Sequence, residues 1–335
     1  MKQIPTLDGW RGIAILMVLA DHATIAALQR YPHPWMRIGL HGVTLFFVLS
    51  GFLITSNLLA GPIDLKKFYI RRFFRLMPTA WTFLAALLLL NLSGIHCTSW
   101  REIRGCLFFY RNFQGNLGTA GHFWSLSIEE QFYLVWPALL LLFGVRRCRW
   151  IALAGAASVA AYRFAFWRHY EQGLLYTRTE VRADALLLGC MFALLRNDPA
   201  IREKLNRWSE LLAVPAAGAF LIAIATSYTL QPLWESAAVG ALLIFTSLHP
   251  AALVSRLLEW KPLAWLGTLS YTIYIWQEPF TVFHGKWLFV AGGFIFPAFV
   301  LASHFLVERP MRKFGRRIAE NQRRHRVLEA APQTG

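Results

Sequence analysis

Long stretches of this sequence contain no charged residue, and 79–93 and 132–145 are two examples. Both lack Asp, Glu, Lys and Arg altogether. Of the 335 residues, 56% are apolar and only 16% are charged, whereas charged residues make up roughly 25% of an ordinary soluble domain. A helix that crosses a bilayer needs about 20 predominantly apolar residues. The sequence therefore predicts an integral membrane protein and excludes a disordered chain or a soluble enzyme.

Ten apolar segments, separated by Pro, Gly and clusters of charge, are candidates for membrane spans. The predicted fold class is thus an all-α integral membrane protein with about ten transmembrane helices, of which the fourth and sixth have the weakest signals. A transmembrane domain over 1–310 would be followed by a basic tail over 311–335. The ten segments are 11–28, 38–59, 78–94, 131–145, 150–167, 181–195, 209–227, 232–248, 263–281 and 288–307.

The net charge of +16 has a regular distribution along the chain. With both termini in the cytoplasm, 23 Lys and Arg residues fall in inner segments and 8 in outer segments. This bias is the positive-inside pattern of membrane proteins. It accounts for the basic charge without a nucleic-acid partner, and it predicts that the tail faces anionic lipid.

The first predicted span contains charged and titratable residues that are costly in a membrane. Arg11 and His22 are eleven residues apart, which places them about 20° from the same helical face and about 16 Å apart along the axis. A guanidinium near the inner surface and an imidazole deeper in the bilayer suit an anionic substrate and a reacting group. A snorkelling Arg with a structurally bonded His is the alternative, and spacing alone leaves both open.

A basic stretch precedes Pro78 and the third predicted span. If it is helical, Arg71 and Arg75 share a face, with Arg72 beside them. Guanidinium forks bind phosphate, so these three residues are candidates for holding an anionic cofactor such as coenzyme A. A positive-inside anchor at the lipid headgroups explains the same stretch equally well.

The segment 121–133, GHFWSLSIEEQFY, leads directly into an apolar span. Either Ser125 or Ser127 can cap a helix there, and Ser127 with Glu130 has the spacing of a capping box. Two carboxylates are more than a cap requires. We therefore expect Glu129 or Glu130 to face the interior.

Seven segments together resemble the acyltransferase 3 family of membrane acyltransferases, and they occur in the family's order. They are 7–22 (LDGWRGIAILMVLADH), 42–55 (GVTLFFVLSGFLIT), 71–78 (RRFFRLMP), 122–137 (HFWSLSIEEQFYLVWP), 182–190 (RADALLLGC), 266–279 (LGTLSYTIYIWQEP) and 307–310 (VERP). In this resemblance Gln277 stands where many relatives have His, so a second catalytic His is not expected in that span.

The resemblance implies an enzyme of the bacterial cytoplasmic membrane. It would take an acyl group, commonly acetyl, from cytoplasmic acyl-CoA to a hydroxyl of a carbohydrate such as O-antigen or exopolysaccharide, without a metal. The family's essential pair corresponds to Arg11 and His22, its basic motif to Arg71, Arg72 and Arg75, and its outer-loop motif to Trp124, Ser125, Leu126 and Glu129. Ser50 and Gly51 correspond to its SGFL turn.

The chemistry predicted for these groups is transfer from an activated thioester. His22 would act as general base or carry the acyl group, Glu129 would hold His22 or the acceptor, and Arg11 would bind phosphate or steady developing charge. A transporter or flippase of a glycan or lipid precursor is the alternative. The sequence lacks the two related halves typical of many transporters.

Other polar residues have less specific signals. Trp124, Ser125, Arg182 and Asp184 are candidates for acceptor binding, although for Arg182 and Asp184 pairing between spans is favoured. Cys97 and Cys106 lie in one outer loop, where a disulfide and two free thiols are both open. The acceptor, the length of the acyl group and the oligomeric state are not determined by the sequence.

Overall fold

The structure, a computed structural model, describes residues 4–28, 38–94, 98–115, 118, 120–166, 177–226, 231–282 and 286–329. Within these ranges the chain is helical and contains no strand. A 3-10 turn at Arg111–Phe113 and a π-helical turn at His304–Glu308 interrupt the α-helices. The helices are α1 (Pro5–Leu28), α2 (Ile38–Leu58), α3 (Leu65–Leu92), α4 (Trp100–Leu107), α5 (Phe123–Phe166), α6 (Thr179–Arg196), α7 (Arg202–Ala225), α8 (Gln231–Leu248), α9 (Leu253–Leu258), α10 (Lys261–Val282), α11 (Lys286–Ser303) and α12 (Arg309–Glu329).

The all-helical prediction is confirmed over the described residues, and each of the ten apolar segments coincides with helix over most of its length. Four described helices are long and apolar enough to cross a membrane: α2, α3, α5 and α7. The count of ten spans and the cytoplasmic position of both termini stay predictions.

Helix α5 contains a sharp reversal. Gly144 has φ 70° and ψ 170°, a backbone conformation that glycine adopts without steric cost. The Cys148 thiol lies 3.4 Å from the carbonyl oxygen of Leu139, although nine residues of continuous helix would separate them by about 13 Å. The chain therefore doubles back at Gly144, which gives the fourth and fifth apolar segments the arrangement of a helical hairpin.

Helix α3 corrects the boundary predicted at Pro78, where the third apolar segment was expected to begin. The helix runs without a break from Leu65 to Leu92, with Pro78 in its interior. Its first turn is capped by the Asp64 side chain, which accepts from the backbone N–H of Lys67. The basic stretch and the third apolar segment thus form one rigid element, so the arginines are fixed relative to the apolar part of the bundle.

Helices α2 and α6 pack at backbone distance through two glycines. A Cβ placed on Gly51 would overlap the carbonyl oxygen of Leu186, and one on Gly189 would overlap that of Val48. Small residues at such crossings allow close helix packing in membrane proteins. Ser50 and Gly51 lie inside α2, so the turn that the resemblance implied at these residues is wrong.

We expect Gly189→Ala to destabilise the bundle, because the added methyl group meets backbone that cannot rotate away. Overpacking of this kind costs about 1–3 kcal/mol. Gly218→Ala is the matched control, since a Cβ there meets no atom within 4 Å and alanine favours helix. Thermal unfolding in detergent should show a lower midpoint for the first variant alone; equal midpoints would contradict close packing at Gly189.

The C-terminal helix α12 packs against α3. The rings of Phe74 and Phe314 meet edge to face with 5.3 Å between centroids, and a Cβ on Gly315 would overlap the Phe74 side chain. Ala319 is buried, and Arg71 pairs with Glu320 at 3.1 Å. The described part of the tail is thus held against the bundle, whereas lipid binding by the rest of the tail stays a prediction.

Candidate active site

A cavity of about 1060 Å³ lies among six helices. Its wall is formed by the first halves of α1, α3 and α12, the start of α5, the middle of α10, and α2 from Val43 to its end. One end is lined by exposed residues, among them Gly61, Pro62 and Arg316, and the other by buried residues such as Ser125 and Tyr274. The cavity therefore has a mouth and a closed end. Loop charge predicts that the mouth faces the cytoplasm.

Cations dominate the lining. Seven basic and five acidic side chains contribute to the wall. The sequence-predicted residues Arg11, Arg71, Arg72, Arg75 and Glu129 are all among them, together with Ser125. The fold thus brings one predicted catalytic arginine, the predicted basic motif and the predicted carboxylate to one enclosed space. The remaining basic residues are Lys67, Arg312 and Arg316, and the acidic residues are Asp8, Asp64, Glu129, Glu308 and Glu320.

The arginines of the cavity differ in what they contact. Arg11 pairs with Asp8 at 3.1 Å, one turn earlier on α1. Arg72 donates through Nε and Nη2 to one oxygen of Glu130, at 3.1 and 2.7 Å. Its guanidinium also lies 3.4 Å from the ring centroid of Tyr133. These two residues are therefore already paired with carboxylates.

Arg75 has a different environment. Within the part of the chain that the structure describes, it has no hydrogen bond and no carboxylate within ion-pair distance. Arg11, Arg72 and Arg312 are close enough to repel it, and Glu308 to attract it. A cation held among other cations in a cavity wall favours a bound anion, so Arg75 is the arginine best suited to contact one.

Glu129 lies near the closed end. Its carboxylate accepts from Ser50 Oγ at 3.0 Å and from Tyr133 Oη at 3.3 Å, and Arg72 is 3.6 Å away. It contacts these groups rather than His22. The interior-facing carboxylate expected from the sequence is thus present.

The start of α5 corrects the capping prediction. The helix begins at Phe123, so Ser127 lies inside it and donates to the Phe123 carbonyl at 2.8 Å. The structure has a capping box between Ser99 and Glu102 instead. Because Ser127 does not use Glu130 as its partner, that carboxylate is free to bind Arg72.

A set of polar contacts surrounds the closed end. The hydroxyls of Ser125 and Tyr274 are 2.5 Å apart, so one donates to the other, and the oxygens lie 3.2 and 3.1 Å from the His122 carbonyl oxygen, to which the second hydroxyl can donate. The His122 ring lies 2.7 Å from a Glu278 oxygen, and Glu278 also accepts from the His122 backbone N–H. Sequence reasoning missed Tyr274 and His122 as members of one group, because α5 and α10 meet only in the tertiary structure.

His22 lies outside this cavity. It shares α1 with Arg11, but it is about 16 Å further along the helix, and its half-buried side chain is not part of the cavity wall. The adjacent Asp21 is buried where α1 meets Gly39 at the start of α2. The predicted catalytic pair is therefore divided between the cavity and a separate region near the far end of α1.

The predicted acceptor residues also lie outside the cavity wall, apart from Ser125. Asp184 pairs with Arg163 at 2.7 Å, both buried, as favoured from the sequence. Arg182 donates to Thr44 Oγ1 at 2.8 Å. The Trp124 ring packs edge to face on Phe47, with 6.0 Å between centroids.

Among the described residues, neither the cysteines nor a cluster of metal-ligating side chains forms a second candidate site. Cys106 is a buried thiol, and burial raises its pKa, which keeps it protonated. Cys97 lies outside the described residues. Within the ranges that the structure covers, no group of His, Cys, Asp and Glu could hold a metal ion.

Comparison with known proteins adds a family match. The profile of a family described as an acyltransferase domain matches residues 4–307. Peptidoglycan O-acetyltransferase OatA of Listeria monocytogenes is 30% identical over 94% of this chain and 56% of its own length. Putative peptidoglycan O-acetyltransferase YrhL of Bacillus subtilis is 30% identical over 98% and 58%, and O-acetyltransferase OatA of Staphylococcus aureus is 26% identical over the same shares.

The chain thus spans a little over half the length of these relatives. No solved structure gives a significant match.

Proposed function

We propose, because this chain belongs to the acyltransferase 3 family, that it moves an acetyl group from acetyl-CoA to a hydroxyl of a glycan. The observation that carries this proposal is the cavity that joins Arg75 and Glu129. Its cationic mouth suits the phosphates of coenzyme A, and its closed end suits the thioester. The relatives' names support a glycan acceptor, and they favour peptidoglycan over O-antigen or exopolysaccharide.

The reaction exchanges two bonds to the acetyl carbon. The acceptor oxygen forms a bond to the acetyl carbonyl while the bond to the coenzyme sulfur breaks, so that a thiol and an ester result. The hydroxyl proton passes to a base, and the thiolate takes up a proton. Since a thioester is already activated, the protein need only hold the groups, remove the proton and stabilise the oxyanion.

In this proposal His22 acts on the acceptor. Its ring is outside the donor cavity, so it would take the acceptor's proton or carry the acetyl group between the two sites. In the same proposal Glu129 acts at the donor. Its contacts with Ser50, Tyr133 and Arg72 would position these groups around the thioester. Arg11 and Arg75 would neutralise the donor's charge.

The proposal is tested with purified protein, labelled acetyl-CoA and an oligosaccharide acceptor. We expect a labelled ester that mild base removes. Glu129→Gln should lower kcat about 10- to 100-fold with little change in donor KM, because the neutral amide no longer balances Arg72 or accepts from both hydroxyls. The stoichiometry of donor binding, measured on the same sample, distinguishes a loss of turnover from a loss of folded protein.

Glu203→Gln is the matched control. This residue is exposed on α7 and does not line the cavity, so we expect unaltered kinetics. Absence of ester formation by the native protein, with intact acetyl-CoA recovered, would refute the proposed function.

A further inference from the structure

Helix α12 contributes to the cavity although the family match ends before it. The match covers residues 4–307, and α12 begins at Arg309. Its cavity-lining residues are Arg312, Arg316 and Glu320. Their spacing of four places all three on one face of the helix. The wall of the cavity is therefore completed by a segment outside the matched region.

The packing of α12 fixes which face it presents. Phe314 and Gly315 contact Phe74 on α3, and Glu320 pairs with Arg71. These contacts turn the row of Arg312 and Arg316 toward the cavity mouth. The two remaining basic residues of the same turns, Lys313 and Arg317, are exposed and do not line the cavity.

The two guanidiniums in this row differ in their partners. Arg312 forms an ion pair with the buried Glu308 at 3.7 Å, a distance beyond that of a hydrogen bond, which leaves its N–H groups able to bind a further acceptor. Arg316 has no ion pair or hydrogen bond with the described residues. Both line the cavity, where Arg316 is exposed and Arg312 is half-buried, whereas Ser125 is buried. The mouth therefore offers two further forks for a phosphorylated ligand.

We propose that Arg312 and Arg316 bind the nucleotide phosphates of acyl-CoA and so make the site selective for the complete coenzyme. The inference rests on the proposed function. Coenzyme A carries its diphosphate and 3′-phosphate at one end and its thiol at the other, joined by the pantetheine arm. The cavity has the same polarity, with the exposed Arg316 at the mouth, Arg312 one turn before it on α12, and the buried Ser125 and Tyr274 at the closed end.

The test compares two charge-matched double variants. Arg312→Ala/Arg316→Ala and Lys313→Ala/Arg317→Ala each remove two positive charges from the same turns of α12. Equilibrium binding of coenzyme A and of pantetheine, which lacks all phosphates, is measured for both variants and the native protein. Binding is measured first in nanodiscs of phosphatidylcholine alone, where no anionic lipid is present, and then in nanodiscs that also contain phosphatidylglycerol.

We expect the first variant to bind coenzyme A at least about tenfold more weakly, since charge-assisted hydrogen bonds to phosphate are lost. Its affinity for pantetheine should stay unchanged, and the second variant should resemble the native protein. Equal weakening in both variants would overturn the inference, because it would show a general effect of charge. So would a defect that arises only in nanodiscs containing anionic lipid, which would identify the arginines as headgroup ligands.

Binding and turnover separate this inference from the proposed function. If the native protein binds coenzyme A through Arg312 and Arg316 but forms no ester, the proposed reaction fails and the phosphate site stands. If ester forms and the first variant keeps native affinity, the reaction stands and the α12 site is refuted.

Discussion

Replacing His22 by alanine is expected to lower acetyl transfer by about 10²- to 10⁴-fold, the range for loss of a general acid–base group. Donor affinity should stay within about twofold of the native value, because His22 does not line the cavity that we assign to acetyl-CoA and general acid–base effects belong to the transition state. The measurement is formation of acetylated glycan, together with equilibrium binding of coenzyme A. Loss of both would contradict the separation of His22 from the donor cavity.

His249→Ala is the matched control for this variant. His249 contacts Ser209 at 3.1 Å, outside the donor cavity, so its removal should leave turnover intact. Retained transfer in the His22 variant would remove His22 from the reaction.

A labelling experiment then distinguishes the two roles of His22. If its imidazole carries the acetyl group, labelled acetyl-CoA without acceptor should leave acetyl on the native protein and none on the His22→Ala variant. If it acts as a base, neither protein should be labelled. A carrier must reach the thioester itself, so a labelled His22 would show that the bound donor extends from the cavity to the imidazole, about 16 Å from Arg11 along α1.

Arg75→Ala is expected to weaken coenzyme A binding by about 10- to 100-fold, the scale of charge-assisted hydrogen bonds lost from a largely enclosed site. Unlike Arg72, which is held by Glu130, Arg75 has no carboxylate partner among the described residues, so the apo fold should tolerate its loss. Arg75→Lys should recover part of the affinity, because lysine keeps the charge but not the planar fork.

Arg147→Ala is the control, because it also removes one cation from the predicted cytoplasmic side of the membrane. Arg147 is exposed beside the reversal at Gly144 and is remote from the cavity wall. Equal affinities for coenzyme A in the Arg75 and Arg147 variants would show that Arg75 does not contact the donor. Circular dichroism of each variant establishes that the helices are intact.

The positions of Pro78 and Ser127 show where local patterns were misleading. Proline commonly ends a helix and Ser127–Glu130 has capping-box spacing, yet α3 continues through Pro78 and α5 begins before Ser127. A local preference worth about 1–3 kcal/mol does not by itself fix where a helix begins or ends. Element existence was therefore more predictable than element boundaries.

The amino-acid sequence by itself determined the helical membrane class, the family resemblance and the residue types of the site. Uncharged apolar runs of about 20 residues satisfy their backbone in a bilayer as helices, and the motif order from Arg11 to Glu129 is a property of the sequence. Helical periodicity also placed Arg11 and His22 on one face of α1.

Only the tertiary structure decided which of these residues share a cavity. It joined Arg75, Glu129 and Arg316 from three separate helices and left His22 outside. It also paired Arg72 with Glu130, two residues that no rule of local spacing relates. The physical reason is that such contacts depend on how helices cross, and crossings are set by close packing at positions such as Gly51 and Gly189 rather than by local preference.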